Sequence, residues 1–215
     1  MRIGMLGTGS VGQALATRLV ELGHDICMGS REPGNENASE WAKTAGSGAS
    51  FGTFADAASF GELLFNCTAG AHSLEALAAA GEDAIADKVL VDVANPLDFS
   101  QGTLALTVTN TDSLAEQIQR AFPRARVVKA LNTVNYKLMA DPSILRDPHD
   151  LFLCGNDAEA KAQVTDLLAS FGWQREHLLD LGALDAARGM EAYLLLWLRL
   201  SQFSDSPLVS VRVVH

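Results

Sequence analysis

Arg2-Ile3-Gly4-Met5-Leu6-Gly7-Thr8-Gly9-Ser10-Val11-Gly12 reads as a short apolar strand running into a GxGxxG turn. A helical pattern follows to Leu22, with Val11, Leu15, Leu19 and Leu22 on one face, and Gly23 stops it. His24 to Met28 reads as a second strand that closes at Gly29-Ser30-Arg31. Strand, glycine turn, helix and strand in the first 31 residues form the setting in which this glycine pattern holds a dinucleotide. Gly7 permits the tight turn, Gly9 lets the backbone approach a pyrophosphate, and Gly12 lets the helix pack near the sheet. With Thr8 in the turn, the N–H groups around Ser10 and Val11 face the phosphates, backed by the positive end of the helix dipole.

The end of the second strand separates NAD from NADP. An NAD site carries Asp or Glu roughly 20 residues past the glycines, to hold the ribose hydroxyls. Ser30 and Arg31 stand there instead. Arg31 is expected to pair with a 2′-phosphate and stack on the adenine, with Ser30 adding a hydroxyl donor. The bland alternative is an ordinary surface arginine, and the acidic Glu32 beside it has to point away. The expected cofactor is NADP(H).

Downstream, strands continue to alternate with helices. Strands are expected at Phe51–Phe54, Leu63–Cys67, Val89–Val93, Arg126–Ala130, Leu151–Cys154 and His177–Asp180. Helices are expected at Ser39–Ala45, Ser73–Ala80, Ser113–Ala121, Ala158–Phe171 and Asp185–Leu200, with a turn or short helix over Asp56–Gly61. Asp98–Asn110 reads as a long loop, Pro142 and Pro148 bracket another, and Leu208–Val213 alternates weakly, as an edge strand would. The expected fold class is α/β: a Rossmann-type, doubly wound, mostly parallel sheet with helices on both faces, extended at the C-terminus. Residues 1–215 form one domain in this reading, with about 150–215 as an α/β extension of it.

Ligands of open α/β sheets sit beyond the carboxyl ends of the strands. Thr68 and Ala69 follow one strand and are expected at the ribose or pyrophosphate. His72 either donates to a phosphate, lies over the nicotinamide or caps the next helix. Ala94, Asn95 and Pro96 follow the next strand. Asn95 offers a donor and an acceptor to a carboxamide or acceptor ring, or else makes an Asx turn before proline. Asn132, with Thr133, follows a third strand and faces the nicotinamide or stabilises its loop. His72, Asn95 and Asn132 are the weak candidates for a catalytic role, and no side-chain acid or base is assigned. The five histidines lack metal-ligand spacing, so no metal is expected.

Composition narrows the partners. The 215 residues are 48% hydrophobic and 20% charged, with a net charge of −10 and no basic stripe. Nucleic acid and anionic membrane surfaces are therefore not expected partners. Cys27, Cys67 and Cys154 are too scattered for a disulfide framework and read as small core residues in strands, which suits the reducing cytoplasm. No leader sequence is apparent, and Tyr193–Leu198 is too short to span a bilayer. The apolar residues all round the late helix imply core packing combined with a dimer contact.

Taken with Gly7–Gly12 and Gly29-Ser30-Arg31, the runs Asn95-Pro96-Leu97 and Lys129-Ala130-Leu131-Asn132-Thr133 carry a family resemblance. Gly155-Asn156-Asp157 and Ala187-Arg188-Gly189-Met190-Glu191 extend it over nearly the whole chain. The sequence resembles the coenzyme F420-dependent NADP oxidoreductases, and is similar to the NADPH-binding domain of the STEAP metalloreductases, which reduce a flavin. The resemblance implies NADPH in the cleft, a flat F420 or flavin ring stacked on the nicotinamide, and a homodimer. The segments Glu32–Ser50 and Leu138–Asp150 give no residue-by-residue match to F420-contacting positions. The expected activity is hydride transfer between NADPH and a small-molecule flavin-like or deazaflavin acceptor. Its rivals are a non-catalytic NADPH sensor and a carbonyl or imine reductase with His72 as proton donor.

Overall fold

The computed structural model describes residues 1–98 and 105–214. Its first half runs β1 (Arg2–Leu6), α1 (Ser10–Glu21), β2 (Asp25–Ser30), α2 (Glu36–Ala45), β3 (Ala49–Thr53), α3 (Phe54–Phe60), β4 (Leu63–Asn66), α4 (Ser73–Ala80), α5 (Glu82–Ile85) and β5 (Val89–Asp92). There follow β6 (Leu97–Asp98), β7 (Ala105–Leu106), α6 (Leu114–Ala121), β8 (Arg126–Ala130) and α7 (Tyr136–Ala140). The chain closes with β9 (Leu151–Gly155), α8 (Ala158–Ser170), β10 (Leu178–Asp180) and α9 (Ala187–Phe203).

Eight strands form one sheet in the order β10-β9-β8-β5-β4-β1-β2-β3. The six from β8 to β3 pair in parallel. β9 runs antiparallel to β8 with Val128 opposite Gly155, and β10 runs parallel to β9. The chain builds β2 and β3 on one side of β1, then crosses to β4 on the other. That reversal opens a crevice at the carboxyl ends of β1 and β4.

Both faces of the sheet are covered, which is why the strands are apolar runs without alternation. On one face Ile3, Met5, Ile26, Phe65 and Val91 pack with Leu15 and Leu19 of α1, and with Phe171 and Trp173 beyond α8. On the other, Leu6, Leu64, Leu90 and Val127 pack with α3, α4, α6 and the start of α9. Burying Leu15 or Leu19 in this way contributes about 1.5–3 kcal/mol each.

Several helix starts are written locally. Asn35 accepts from the Ala38 N–H at 3.1 Å, so α2 begins three residues before the apolar pattern suggests. Thr53 and Asp56 cap each other to start α3, which turns the 56–61 segment into a helix. Leu138–Ala140 belongs to α7, capped by Asn135, and not to a loop. Within the 98–110 segment, Ala105–Leu106 pairs antiparallel with Leu97–Asp98, while residues 99–104 of that expected loop lie outside the described residues.

Two expectations are corrected. The tail from 208 to 213 forms no strand; Asp150 holds it, its N–H donating to Val211 O and its carboxylate accepting from Val213 N at 2.6 Å. Among the described residues one backbone–backbone bond forms there, too few for a ladder. Cys67 lies one residue past β4, half-buried at the cleft, while Cys27 and Cys154 are buried in β2 and β9. Among the described residues no helix is long and apolar enough to cross a membrane.

Candidate functional site

The glycine loop carries out its steric roles by different means. Gly7 adopts φ +122°, and a Cβ on it would lie 2.6 Å from Cys67 O. A Cβ on Gly12 would lie 2.3 Å from Gly7 O, so the helix start cannot recede from the loop. Around Gly9 a Cβ would meet nothing within 4 Å, which leaves open approach to the backbone. Gly9 is also the N-cap of α1 and supplies no side chain to it. The N–H groups of Ser10, Val11 and Gly12 therefore face outward at the positive end of the helix, an anion cradle. Gln13 Nε2 donates to Thr8 O at 3.0 Å and fixes the turn.

Ser30 and Arg31 stand at the tip of β2, beside that cradle in the sheet order. Ser30 is buried and its hydroxyl donates to Glu32 O, so the proton expected for a phosphate holds the loop instead. Arg31 is exposed and, among the described residues, has no hydrogen bond or ion pair.

A cavity of about 530 Å³ lies over the carboxyl ends of the strands. It brings together Val11 from the start of α1 with Thr68, Ala69, His72, Ala94, Asn95 and Asn132 from three separate loops. Pro96 is buried just behind this lining. Leu97, Val134, Met139, Leu194 and Trp197 also line it, and sequence reasoning gave none of these five a place at the site.

Local bonding decides what the polar residues can do. Thr68 Oγ1 lies 2.7 Å from Asn66 Oδ1, to which it donates, and 2.9 Å from Ser73 Oγ, so its hydroxyl is turned inward. His72 is exposed at the rim, makes no side-chain cap to α4, and lies 3.7 Å from Glu75. Asn95 and Asn132 are reciprocally paired. Asn95 Nδ2 donates to Asn132 O at 2.9 Å, and Asn132 Nδ2 donates to Asn95 Oδ1 at 3.0 Å. Asn132 Nδ2 also donates to Met190 O on α9 at 3.0 Å. Both of its donor contacts go to acceptors, so the amide orientation is fixed. Among the described residues Asn132 Oδ1 is left buried with no partner, on a residue only 2% exposed that lines the cavity. Leu131 before it sits at φ +69°, a left-handed turn that costs a branched residue on the order of 1–2 kcal/mol. That turn lets the chain leave β8 with Asn132 toward the cleft.

Beneath this floor lies a charge cluster whose role sequence reasoning missed. Lys129 in β8 is fully buried, as is Asp92 at the end of β5. Lys129 Nζ is 2.8 Å from Asp92 Oδ2 and 2.8 Å from Glu191 Oε1 on α9, and it also donates to Ala94 O. Asp92 Oδ1 accepts from Asn66 Nδ2 at 2.8 Å and from the Ala94 N–H at 3.3 Å. Glu191 accepts the N–H groups of Leu114 and Ala115 at 2.9 and 3.2 Å, closing the start of α6. Burial alone would lower the Lys129 pKa; attraction to Asp92 and Glu191 overrides it and raises it above the ordinary lysine value. Burial raises the Glu191 pKa in turn. Removing one partner from such a cluster costs about 3–5 kcal/mol, because a charge is left unpaired. The signal for it was legible in part: a lone acid closes one apolar strand, and a lone base interrupts its neighbour.

Burial also pushes up the thiol of Cys67, whose sulfur lies 3.4 Å from Met5 Sδ, so it stays protonated at neutral pH.

Residues 2–96 match the family described as NADP oxidoreductase, coenzyme F420-dependent. The chain is 44% identical to a crystal structure from Arthrobacter sp. FB24 assigned as an F420-dependent NADP reductase, with a TM-score of 0.95 and 100% of both chains covered. It is 29% identical to the F420-dependent NADP reductase of Methanocaldococcus jannaschii, covering 100% of this chain and 99% of that one. It is also 35% identical over 198 residues to metalloreductase STEAP3 of Rattus norvegicus. That match covers 89% of this chain, which spans only 36% of the metalloreductase.

Proposed function

The chain belongs to the coenzyme F420-dependent NADP oxidoreductase family and is an NADP-dependent oxidoreductase, and we propose that it passes hydride between NADP(H) and a flat ring acceptor, an F420-type deazaflavin or a flavin. One observation carries this reading. The same cleft holds an orphaned buried acceptor, Asn132 Oδ1, and an apolar far wall that includes Met139, Leu194 and Trp197. The carboxamide N–H₂ of a nicotinamide is the donor that Asn132 lacks. Asn95 holds Asn132 in place from one side and Met190 O from the other. The open amides of α1 suit the pyrophosphate, and Arg31, with no partner among the described residues, suits the 2′-phosphate.

The cofactor supplies the hydride; the protein aligns two rings and keeps water from between them. Ring-to-ring transfer asks for no protein acid at the reacting carbon, unlike carbonyl reduction. Cys67, held protonated beside Met5, is a weak acid, and His72 stands exposed at the rim of the cleft.

The test is to follow NADPH oxidation at the nicotinamide absorbance with F420, FMN, FAD and ferric chelates, beside a carbonyl and an imine. Turnover with F420 or a flavin is the expected result. Turnover confined to the carbonyl or imine, or tight NADPH binding with no turnover, overturns the ring-acceptor reading.

The reading includes a cytoplasmic homodimer. α9 exposes Leu195, Leu196 and Phe203, and the tail exposes Val213 and Val214. A monomer in sedimentation at micromolar concentration removes that part of it.

A further inference from the structure

We propose that Lys129 is the positioning residue that sets the distance between the two walls of the cleft, and so governs acceptor binding more strongly than the anchorage of NADPH through its phosphates. One wall is the loop after β5, whose Ala94 and Asn95 line the cavity. The other is α9, whose Leu194 and Trp197 also line it. The Lys129 ammonium touches both: it donates to Ala94 O and pairs with Glu191 at 2.8 Å. Leu194 follows Glu191 by about one helical turn and Trp197 by nearly two, so the anchor at Glu191 fixes where both side chains fall.

The cluster does not touch the cavity, since none of Lys129, Asp92 and Glu191 lines it. Nor does stability explain three charges in a core, because apolar side chains of similar volume serve as well there. What a hydrogen-bonded ion cluster adds is a fixed geometry among its elements. Lys129 links β8, the β5 loop and α9, and through Glu191 the start of α6. The glycine loop and Arg31 hang on β1, α1 and β2, whereas the hydrogen bonds of the cluster go to Asn66, Ala94, Leu114 and Ala115. A change at Lys129 therefore moves the acceptor side and leaves the cradle for the pyrophosphate and 2′-phosphate in place.

The inference rests on the reading that the acceptor enters between these walls. Lys129→Met removes the charge and keeps most of the volume, and Glu191→Gln keeps the shape while weakening the tie. For each, the acceptor KM and kcat are measured in turnover, NADPH Kd by nicotinamide fluorescence, and amide hydrogen exchange across 94–97 and 191–197. For Lys129→Met the acceptor KM is expected to rise about tenfold or more, with NADPH Kd rising by clearly less, because the phosphate cradle stays in place. Exchange should speed up in both segments, and Glu191→Gln should change everything in the same direction by less. A proportional loss of NADPH affinity in either variant, or unchanged exchange in α9, overturns the proposal. Should Lys129→Met fail to fold, Glu191→Gln carries the same comparison. If the native protein turns over no ring acceptor, the functional reading fails by itself, while hydrogen exchange still reports whether Lys129 ties the two walls.

Discussion

The two sides of the cleft are built by opposite means. The side made by β1, the glycine loop and β2 is backbone: side chains are excluded at Gly7 and Gly12, and the helix amides are left bare. The side made by the β5 and β8 loops and α9 is held by side chains from distant parts of the chain. Asn95 meets Asn132 across 37 residues, and Asn132 meets Met190 across 58. A backbone device has to fit within one turn and leaves a fixed spacing in the sequence. A tie between remote side chains leaves only a lone polar letter in each of two apolar runs.

The largest expected effect tests whether backbone alone makes the first side. A Cβ at Gly9 meets no protein atom, so Gly9→Val should fold with its melting temperature nearly unchanged. It should nonetheless weaken NADPH binding by about 100-fold or more, because the branched side chain fills the approach to the amides. Gly12→Val, whose Cβ would sit 2.3 Å from Gly7 O, should instead lose stability as well as binding. Calorimetry with a fluorescence titration separates the two, and a Gly9→Val protein that binds NADPH normally would show that the pyrophosphate lies elsewhere.

The same contrast explains what the sequence revealed. GxGxxG between two strands announced the sheet, its switch point and the cradle, because each glycine answers to a neighbour close in the chain. The alternating tail at 208–213 misled, because alternation signals a strand only where a partner strand offers a ladder, and here Asp150 and the Trp197 indole receive it instead. The wide apolar surface of α9 was visible, but not which part faces the cleft: Leu194 is buried there while Leu195 and Leu196 are exposed. Asn95 and Asn132 were picked as polar residues at strand ends, yet their pairing, which leaves only Asn132 Oδ1 free, is a fact of three dimensions. Asp92 and Lys129 each broke an apolar strand, and reading them together required knowing that β5 and β8 are neighbours, with Asp92 opposite Lys129.

A smaller effect sharpens the comparison at the one side-chain contact expected on the backbone side. Arg31→Ala removes a cation that is exposed and, among the described residues, unpaired, so the fold should not notice. NADPH affinity should fall about tenfold to a hundredfold, as for a lost hydrogen-bonded charge pair, with NADH affinity unchanged. Equal binding of NADH and NADPH by the native protein would remove the role given to Arg31.

The smallest effect belongs to the other side, where acid should loosen what the backbone side keeps. Arg188 at the start of α9 forms two hydrogen bonds to Glu116 of α6, at 2.6 and 2.9 Å. The Arg188 guanidinium, helped by Ser113, holds the Glu116 carboxyl below its ordinary value of 4.5 against the opposing effect of burial. A carboxylate with a lowered folded pKa contributes stability above its unfolded pKa, and that contribution disappears as pH falls through the folded value. The contact should therefore be intact at pH 6 and fade below about pH 4.5, and solvent screening keeps its contribution small. Urea midpoints at pH 6 and pH 3.5 measure it: Glu116→Gln should be less stable than the native protein at pH 6, and the gap should narrow at pH 3.5. The Gly9 loop has no titrating side chain in its cradle, so hydrogen exchange at pH 3.5 should quicken at 114–121 and 187–191 before it does at 10–13. Equal loosening of both segments would mean that the two sides of the cleft are not held independently.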